Sequence, residues 1–180
     1  MNTMLTTILI VLAVALAALG FWLWTPDLSR DRLEARYFAP DGAYVDVDGV
    51  RLHVRDTGPR DAPAIVMLHG LGSSLHTWEG WAGALDDRYR VVRFDLPAHG
   101  LTGADPTGDY SMDRWVDLLA GLMDTLDIQS AALIGNSMGG RLAWMTAARR
   151  PARVAALVLV SPDGFESPGF EYNETPDVPA

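Results

Sequence analysis

The chain has 180 residues, enough for one domain of roughly 150 residues and a short additional segment. Hydrophobic residues make up 49% and charged residues 21%, a globular composition that excludes an intrinsically disordered chain. The net charge of −9 argues against a nucleic-acid partner, which would need clustered cations. The chain has no cysteine, which excludes disulfides, cysteine metal sites and a thiol nucleophile.

An uncharged segment stands at the start of the chain. Leu5 to Trp24 is 20 residues without a charge, and as a helix it would reach about 30 Å, the thickness of a bilayer core. One end carries the aromatic side chains that favour a membrane interface, Phe21, Trp22 and Trp24. We therefore predict a single-pass anchor over residues 1–24 that contacts the lipid bilayer through residues 5–24.

A cleaved signal peptide is the competing interpretation of this segment. Ala15-Leu16-Ala17 resembles a cleavage site, but no basic residue precedes the apolar run, and the run continues to Trp24. Length therefore favours an uncleaved anchor. The positive-inside rule would place the adjoining domain in the cytoplasm, because three basic residues come after the segment, Arg30, Arg32 and Arg36. Short N-terminal anchors often export the domain attached to them, so the side of the membrane stays open.

The sequence after residue 24 predicts a linker followed by alternating strands and helices. Residues 25–42 form a polar linker, and a β-hairpin follows in which Asp48-Gly49 supplies the positive φ values of a tight turn. The later segments are Ala64–Leu68, Tyr89–Phe94, a helix capped by Ser111, Ala131–Ile134, Met138–Arg150 and Val154–Val160. The alternation predicts an α/β fold over residues 43–165, with a mostly parallel sheet and flanking helices.

Two further expectations concern the C-terminal part of the chain. The continuous apolar run Val154–Val160 is typical of a strand buried on both faces. Residues 166–180 are expected to begin a lid region or to form a disordered tail.

The run Gly135-Asn136-Ser137-Met138-Gly139 matches the pattern Gly-x-Ser-x-Gly, with a predicted strand before it and a predicted helix after it. This is the context of a nucleophile elbow, a sharp turn that holds serine in a strained conformation above the sheet edge. Gly135 and Gly139 then stand where side chains would collide with the neighbouring strand and helix. Ser137 is the predicted catalytic nucleophile.

A second loop, His69-Gly70-Leu71-Gly72, comes directly after the strand Ala64–Leu68. Acyl transfer builds negative charge on a carbonyl oxygen, and each backbone N–H aimed at that oxygen is worth about 3 kcal/mol. We expect the N–H groups of Leu71 and Met138 to form this oxyanion hole, with Gly70 allowing close approach of the backbone. His69 is expected to be a structural histidine that packs under the loop.

These features, in this order, resemble the N-terminal part of an α/β-hydrolase of the serine-nucleophile family. The resemblance covers about residues 44–165 and includes the loop Asp95–Gly100, a mild departure from the family's Asp-x-Pro-Gly-x-Gly. The elbow is similar to that of carbon–carbon bond hydrolases that act on ring-cleavage products, and related esterases, lipases and cofactor-free haloperoxidases carry similar elbows. Ser137 argues against epoxide hydrolases and haloalkane dehalogenases, which use Asp.

The resemblance implies a triad in the chain order serine, acid, histidine. All four histidines, His53, His69, His76 and His99, precede Ser137. Serine without a base is a poor nucleophile at neutral pH, so we interpret the chain as a truncated gene product or a sequence fragment, inactive by itself, whose base and acid would come from residues absent here. Asp163 stands where a minority of the family places the acid, although a turn residue is the favoured interpretation. Asp95 is expected to orient the loop that comes after it.

Together these residues predict a membrane-anchored serine hydrolase that acts on a small-molecule ester or related acyl substrate, with no metal or organic cofactor implied. A carbon–carbon bond hydrolase using the same elbow is the nearest alternative. The other alternative is a non-catalytic membrane protein that presents a partial hydrolase fold to a partner. It is disfavoured because a sheet without its last strands exposes an unpaired edge.

Overall fold

A computed structural model of the protein describes residues 3–164, and the predicted segment 166–180 lies outside them. The chain divides into two compact units, Met1–Arg36 and Tyr37–Ala180. The first unit contains helix α1, Thr3–Leu23, none of whose residues is buried in the protein. By length and composition α1 could cross a membrane, and a signal sequence would have the same properties.

Helix α2, Arg30–Tyr37, lies inside the segment predicted as a linker. Its polar sequence explains why no apolar stripe indicated a helix there. An ion pair spaced one turn apart supports it, since Arg30 Nε donates to Glu34 Oε1 at 2.8 Å. The predicted linker is therefore helical over part of its length.

Over its described residues, 37–164, the second unit is built on a sheet of six strands: β1 Gly42–Val47, β2 Val50–Thr57, β3 Ala64–Leu68, β4 Arg90–Phe94, β5 Ala131–Asn136 and β6 Val154–Val160. Their order across the sheet is β1-β2-β4-β3-β5-β6. The β1–β2 and β2–β4 pairs are antiparallel, whereas the β3–β4, β3–β5 and β5–β6 pairs are parallel. The predicted α/β class with a mostly parallel sheet is confirmed.

The hairpin between β1 and β2 has the predicted turn. Asp48 and Gly49 both have positive φ angles, 46° and 81°, and Val47 pairs with Val50 directly across the turn. This conformation matches the natural twist of antiparallel strands, which is why Asp-Gly predicts it so well.

In the part of the chain that the structure describes, three helices cover the sheet: α3 Glu79–Leu85, α4 Met112–Thr125 and α5 Met138–Arg149. Alternate residues of β3 point to opposite faces. Val66 and Leu68 pack in the larger core with α4 and α5, while Ile65 and Met67 pack with Trp78 and α3. Helix α4 begins as predicted, because the Ser111 hydroxyl accepts a hydrogen bond from the Arg114 N–H.

Strand β6 corrects one expectation. Its apolar run predicted burial on both faces, but Leu157 and Val158 are 39% and 42% exposed. The reason is position, because within the described residues β6 pairs with β5 and forms the edge of the sheet. The hydrophobicity of the sequence alone does not distinguish an inner strand from an edge strand, which pairs on one side only.

Candidate active site

Ser137 lies at the sharp turn between β5 and α5, with φ 50° and ψ −118°. A non-glycine residue in this region is strained by about 1–3 kcal/mol and persists only when its surroundings fix it. Backbone hydrogen bonds provide that constraint. The Ser137 N–H donates to the Val160 carbonyl at 3.1 Å, and the Ser137 carbonyl accepts from the N–H groups of Arg141 and Asp163 at 3.0 and 3.2 Å.

The glycines on either side of the serine stand where no side chain fits. A Cβ at Gly135 would lie 2.3 Å from the Gly139 carbonyl oxygen, and one at Gly139 would lie 2.2 Å from the Leu68 carbonyl oxygen. Both are backbone contacts far inside the van der Waals limit. These two residues therefore let the start of α5 pack directly on β5 and β3.

The loop after β3 lies against the serine. A Cβ at Gly70 would be 3.3 Å from Ser137 Cβ and 3.0 Å from Asn136 Oδ1. Leu71 comes next, at the tip of a turn closed by the Ser73 N–H and the Gly70 carbonyl at 3.3 Å, and its side chain is largely exposed. The structure thus places the loop of the predicted oxyanion hole beside the predicted nucleophile.

Met138, the second predicted oxyanion donor, is the first residue of α5. An N–H in the first turn of a helix has no carbonyl partner within that helix, so it is free to bond elsewhere. The twelve residues of α5 also direct the positive end of the helix dipole toward this turn. Both effects favour negative charge next to Ser137.

His69 is fully buried beneath this loop. Its Nε2 accepts the Leu96 N–H at 3.0 Å, so Nδ1 carries the hydrogen and donates to the Gly70 carbonyl at 2.8 Å. Burial lowers the pKa of His69, outweighing the hydrogen bond to Gly70 and the charge of Asp95, which raise it. A neutral imidazole is the form that these two bonds require.

Asp95 is fully buried at the end of β4, and its carboxylate accepts three hydrogen bonds. Its carboxylate accepts from His53 Nδ1 at 2.7 Å, from the Leu75 N–H at 2.7 Å and from the Leu101 N–H at 2.8 Å. Burial raises the pKa of Asp95, but these hydrogen bonds together hold it below its ordinary value. The bond to Leu101 orients the next loop, as expected from the sequence. The bond from the Leu75 N–H joins residues 20 apart, and no feature of the sequence predicted it.

The other histidines are held by their own contacts. His53 is buried with Asp95, and His99 Nδ1 donates to the Pro97 carbonyl at 2.9 Å. His76 is partly buried, with its Nδ1 3.3 Å from Ser74 Oγ. Within residues 3–164, no hydrogen bond joins a histidine to the Ser137 hydroxyl.

Asp163 lies just past the end of β6, and its N–H bonds to Ser137. Its carbonyl accepts from Trp144 Nε1 at 3.1 Å. Its Oδ1 is buried and has no hydrogen-bond partner in the described part of the chain. In that same part, no group of three or more His, Asp or Glu side chains could hold a metal ion.

Comparison with known proteins identifies the family. A model of the alpha/beta hydrolase fold matches residues 63–180. The chain belongs to the α/β-hydrolase fold family, so the resemblance inferred from the sequence is confirmed.

Individual relatives show a range of chemistry. The 2-hydroxymuconate semialdehyde hydrolase of Pseudomonas sp. (strain CF600) is 32% identical over 71% of this chain and 45% of that protein. An enol-lactonase from Burkholderia xenovorans LB400 has a TM-score of 0.61 and 38% identity, over 64% of this chain and 45% of that one. A bacterial membrane phospholipase A has a TM-score of 0.69 and 27% identity, over 92% of this chain and 54% of that one. The chain spans 32–45% of the length of the first curated relatives it matches.

The close contact at Gly139 predicts a large effect of one methyl group. Gly139→Ala should lower the free energy of unfolding by about 2 kcal/mol or more, because its Cβ meets backbone that cannot yield. Gly83→Ala is the control, since nothing lies within 4 Å of a Cβ there and alanine favours a helix. Urea unfolding of the detergent-solubilised protein measures both. Equal stability of the two variants would contradict the described packing.

Burial of His69 predicts a loss of stability in mild acid. Its pKa is below the ordinary 6.5 in the folded protein, so the unfolded chain takes up the proton first as the pH falls. This contribution is fully present above pH 6.5 and decreases below it by up to about 1.4 kcal/mol per pH unit. Unfolding at pH 7.5 to 5 should show a weaker pH dependence in His69→Gln. Asp95, which lies near His69, does not titrate in this window, because its pKa lies below 3.8. An unchanged slope would refute the prediction.

Proposed function

We propose that this chain carries the nucleophile and the oxyanion hole of a membrane-anchored serine hydrolase that acts on an ester or a related acyl substrate. The observation that carries the proposal is the geometry of Ser137. It has strained backbone angles at the head of α5, and Gly70 packs against it. Strained backbone of this kind is held by the surrounding structure and clusters at active sites.

In the proposed reaction, Ser137 Oγ attacks the carbonyl carbon of the substrate and its proton passes to a base. The carbonyl oxygen becomes negatively charged and accepts hydrogen bonds from the N–H groups of Leu71 and Met138. The tetrahedral intermediate then collapses, the bond to the leaving alcohol breaks, and the base returns the proton to that alcohol. Water removes the acyl group from Ser137 by the same steps.

The base is assigned to a residue outside the described part of the chain. Support comes from the four histidines, since within residues 3–164 none of them bonds to the Ser137 hydroxyl and each has other partners. Asp163 is the one candidate acid within the described residues. Its N–H contacts the Ser137 carbonyl, and its Oδ1 has no partner there.

The ester substrate and the membrane anchor draw support from different relatives. The similar enol-lactonase is named for a lactone, which is a cyclic ester, and the similar phospholipase A is described as a membrane protein. Helix α1 has the length and composition of a membrane span. An anchored enzyme would meet its substrate at the bilayer surface.

A fluorophosphonate probe tests the nucleophile. The complete gene product should become labelled, and Ser137→Ala should abolish the labelling, because the probe bonds to an activated serine oxygen. Ser130→Ala is the control, since Ser130 is exposed just before β5 begins, at the opposite end of the strand from Ser137. Labelling of the Ser137→Ala variant at the wild-type rate would rule the proposal out.

A carbon–carbon bond hydrolase is the second candidate, favoured by the similarity to 2-hydroxymuconate semialdehyde hydrolase. The same elbow would then act on a vinylogous diketone. We expect kcat/KM of the complete gene product for a p-nitrophenyl ester to exceed that for such a diketone by about tenfold or more, with both reactions lost in Ser137→Ala. The reverse order would select the second candidate.

A further inference from the structure

The loop that contains Leu71 is held at both ends by the same short segment of chain. At its near end, the imidazole of His69 accepts the Leu96 N–H at 3.0 Å. At its far end, the Leu75 N–H donates to Asp95 Oδ1 at 2.7 Å. Asp95 and Leu96 are adjacent residues at the end of β4, so one dipeptide fixes residues 69 and 75 together.

The Asp95 carboxylate is itself rigidly held. Its second oxygen, Oδ2, accepts from His53 Nδ1 on β2 at 2.7 Å and from the Leu101 N–H at 2.8 Å. A Cβ at Gly100 would lie 2.1 Å from that same oxygen, so a side chain is excluded there. The side chains of His53 and Asp95 are both fully buried, and charge-assisted bonds in a buried site are short and strong.

The near end of the loop depends on the tautomer of His69. Nε2 must be an acceptor to receive the Leu96 N–H, and the Nδ1 hydrogen then bonds to the carbonyl of Gly70. The Gly70 carbonyl belongs to the peptide whose nitrogen is Leu71 N. This bond therefore fixes the plane of the peptide group that carries the proposed oxyanion donor.

We propose that Asp95 and His69 are positioning residues that hold the Leu71 N–H in line with Ser137, acting through the two ends of the loop 69–75. The inference rests on the proposed function, since it assigns these residues a task only if Leu71 is an oxyanion donor. Neither side chain touches the substrate. Their effect is on alignment, and loss of one oxyanion donor lowers the rate about 10²–10³-fold in a serine hydrolase.

The test uses the complete gene product in detergent micelles and phenylboronic acid as the probe. Addition of Ser137 Oγ to boron, with release of the hydroxyl proton, gives a tetrahedral adduct whose oxygen occupies the oxyanion hole. Boron-11 NMR reports the change from trigonal to tetrahedral boron and gives the Kd. Hydrogen exchange of the amides of residues 70–76 reports independently on the order of the loop.

Asp95→Asn should weaken the boronate adduct at least tenfold and accelerate exchange in residues 70–76. The matched control is Thr102→Val, which removes both bonds of the Thr102 hydroxyl, the one to the Asp95 carbonyl at 2.8 Å and the one from the His53 N–H at 2.9 Å, and leaves the three donors to the carboxylate in place. It should keep the adduct Kd within about twofold of the wild-type value. Equal Kd and equal loop exchange in Asp95→Asn and wild type would overturn the proposal.

A second pair of variants decides the matter if Asp95→Asn fails to fold. In His69→Gln the amide oxygen stands near the position of Nε2 and accepts the Leu96 N–H, whereas His69→Leu offers no acceptor. We expect His69→Leu, which loses both bonds of the imidazole, to weaken the adduct tenfold or more, and His69→Gln, which keeps the bond from Leu96 and loses the one to Gly70, to weaken it less. Equal affinity of the two would overturn the proposal, because packing alone would then account for His69.

Failure of the proposed function gives a result that can be distinguished from failure of the positioning role. If wild type forms no adduct, Ser137 is not a boronate-reactive nucleophile and the proposed function is at fault. In that case loop exchange still decides the structural part of the inference, that Asp95 holds the loop 69–75 in order. Faster exchange in Asp95→Asn than in Thr102→Val supports it, and equal exchange overturns it.

Discussion

Helix α5 approaches strands β3 and β5 so closely that only glycine fits at either contact. The carbonyl of Leu68 occupies the space of a Cβ at Gly139, and the carbonyl of Gly139 occupies the space of a Cβ at Gly135. With the helix pressed against the sheet in this way, the residue between strand and helix has no relaxed conformation available. Ser137 takes a positive φ because of the packing around it, and its backbone hydrogen bonds keep it there.

The same contact brings the two parts of the site together. The loop after β3 begins where α5 touches that strand, so Gly70 necessarily lies beside Ser137. The end of β4 then supports this loop from below through His69 and Asp95. The site is thus assembled from the ends of three neighbouring parallel strands, the usual location of active sites in open α/β sheets.

Local features of the sequence predicted the fold well. Asp48-Gly49 specifies its turn through backbone preferences alone, and Ala64–Leu68 has the predicted bounds because five apolar residues stand between turns. Features that depend on distant partners were not predictable in this way. Helix α2 has no apolar stripe, and the exposure of β6 depends on which strands lie beside it.

The candidate site likewise contains local features that the sequence predicts and long-range contacts that it does not. The nucleophile elbow could be predicted because its residues are contiguous in the sequence and because its two glycines stand where a side chain would collide with backbone. The hydrogen bond from the Leu75 N–H to Asp95 could not be predicted, because it joins residues 20 apart and any buried backbone N–H could have been the donor.

A crystal structure of the complete gene product after reaction with a phosphonate probe would show both the nucleophile and the oxyanion hole at once. We predict phosphorus bonded to Ser137 Oγ, with the phosphoryl oxygen about 2.7–3.1 Å from the backbone nitrogens of both Leu71 and Met138. Phosphorus bonded to another residue, or a phosphoryl oxygen that turns away from both amides, would contradict the assignment.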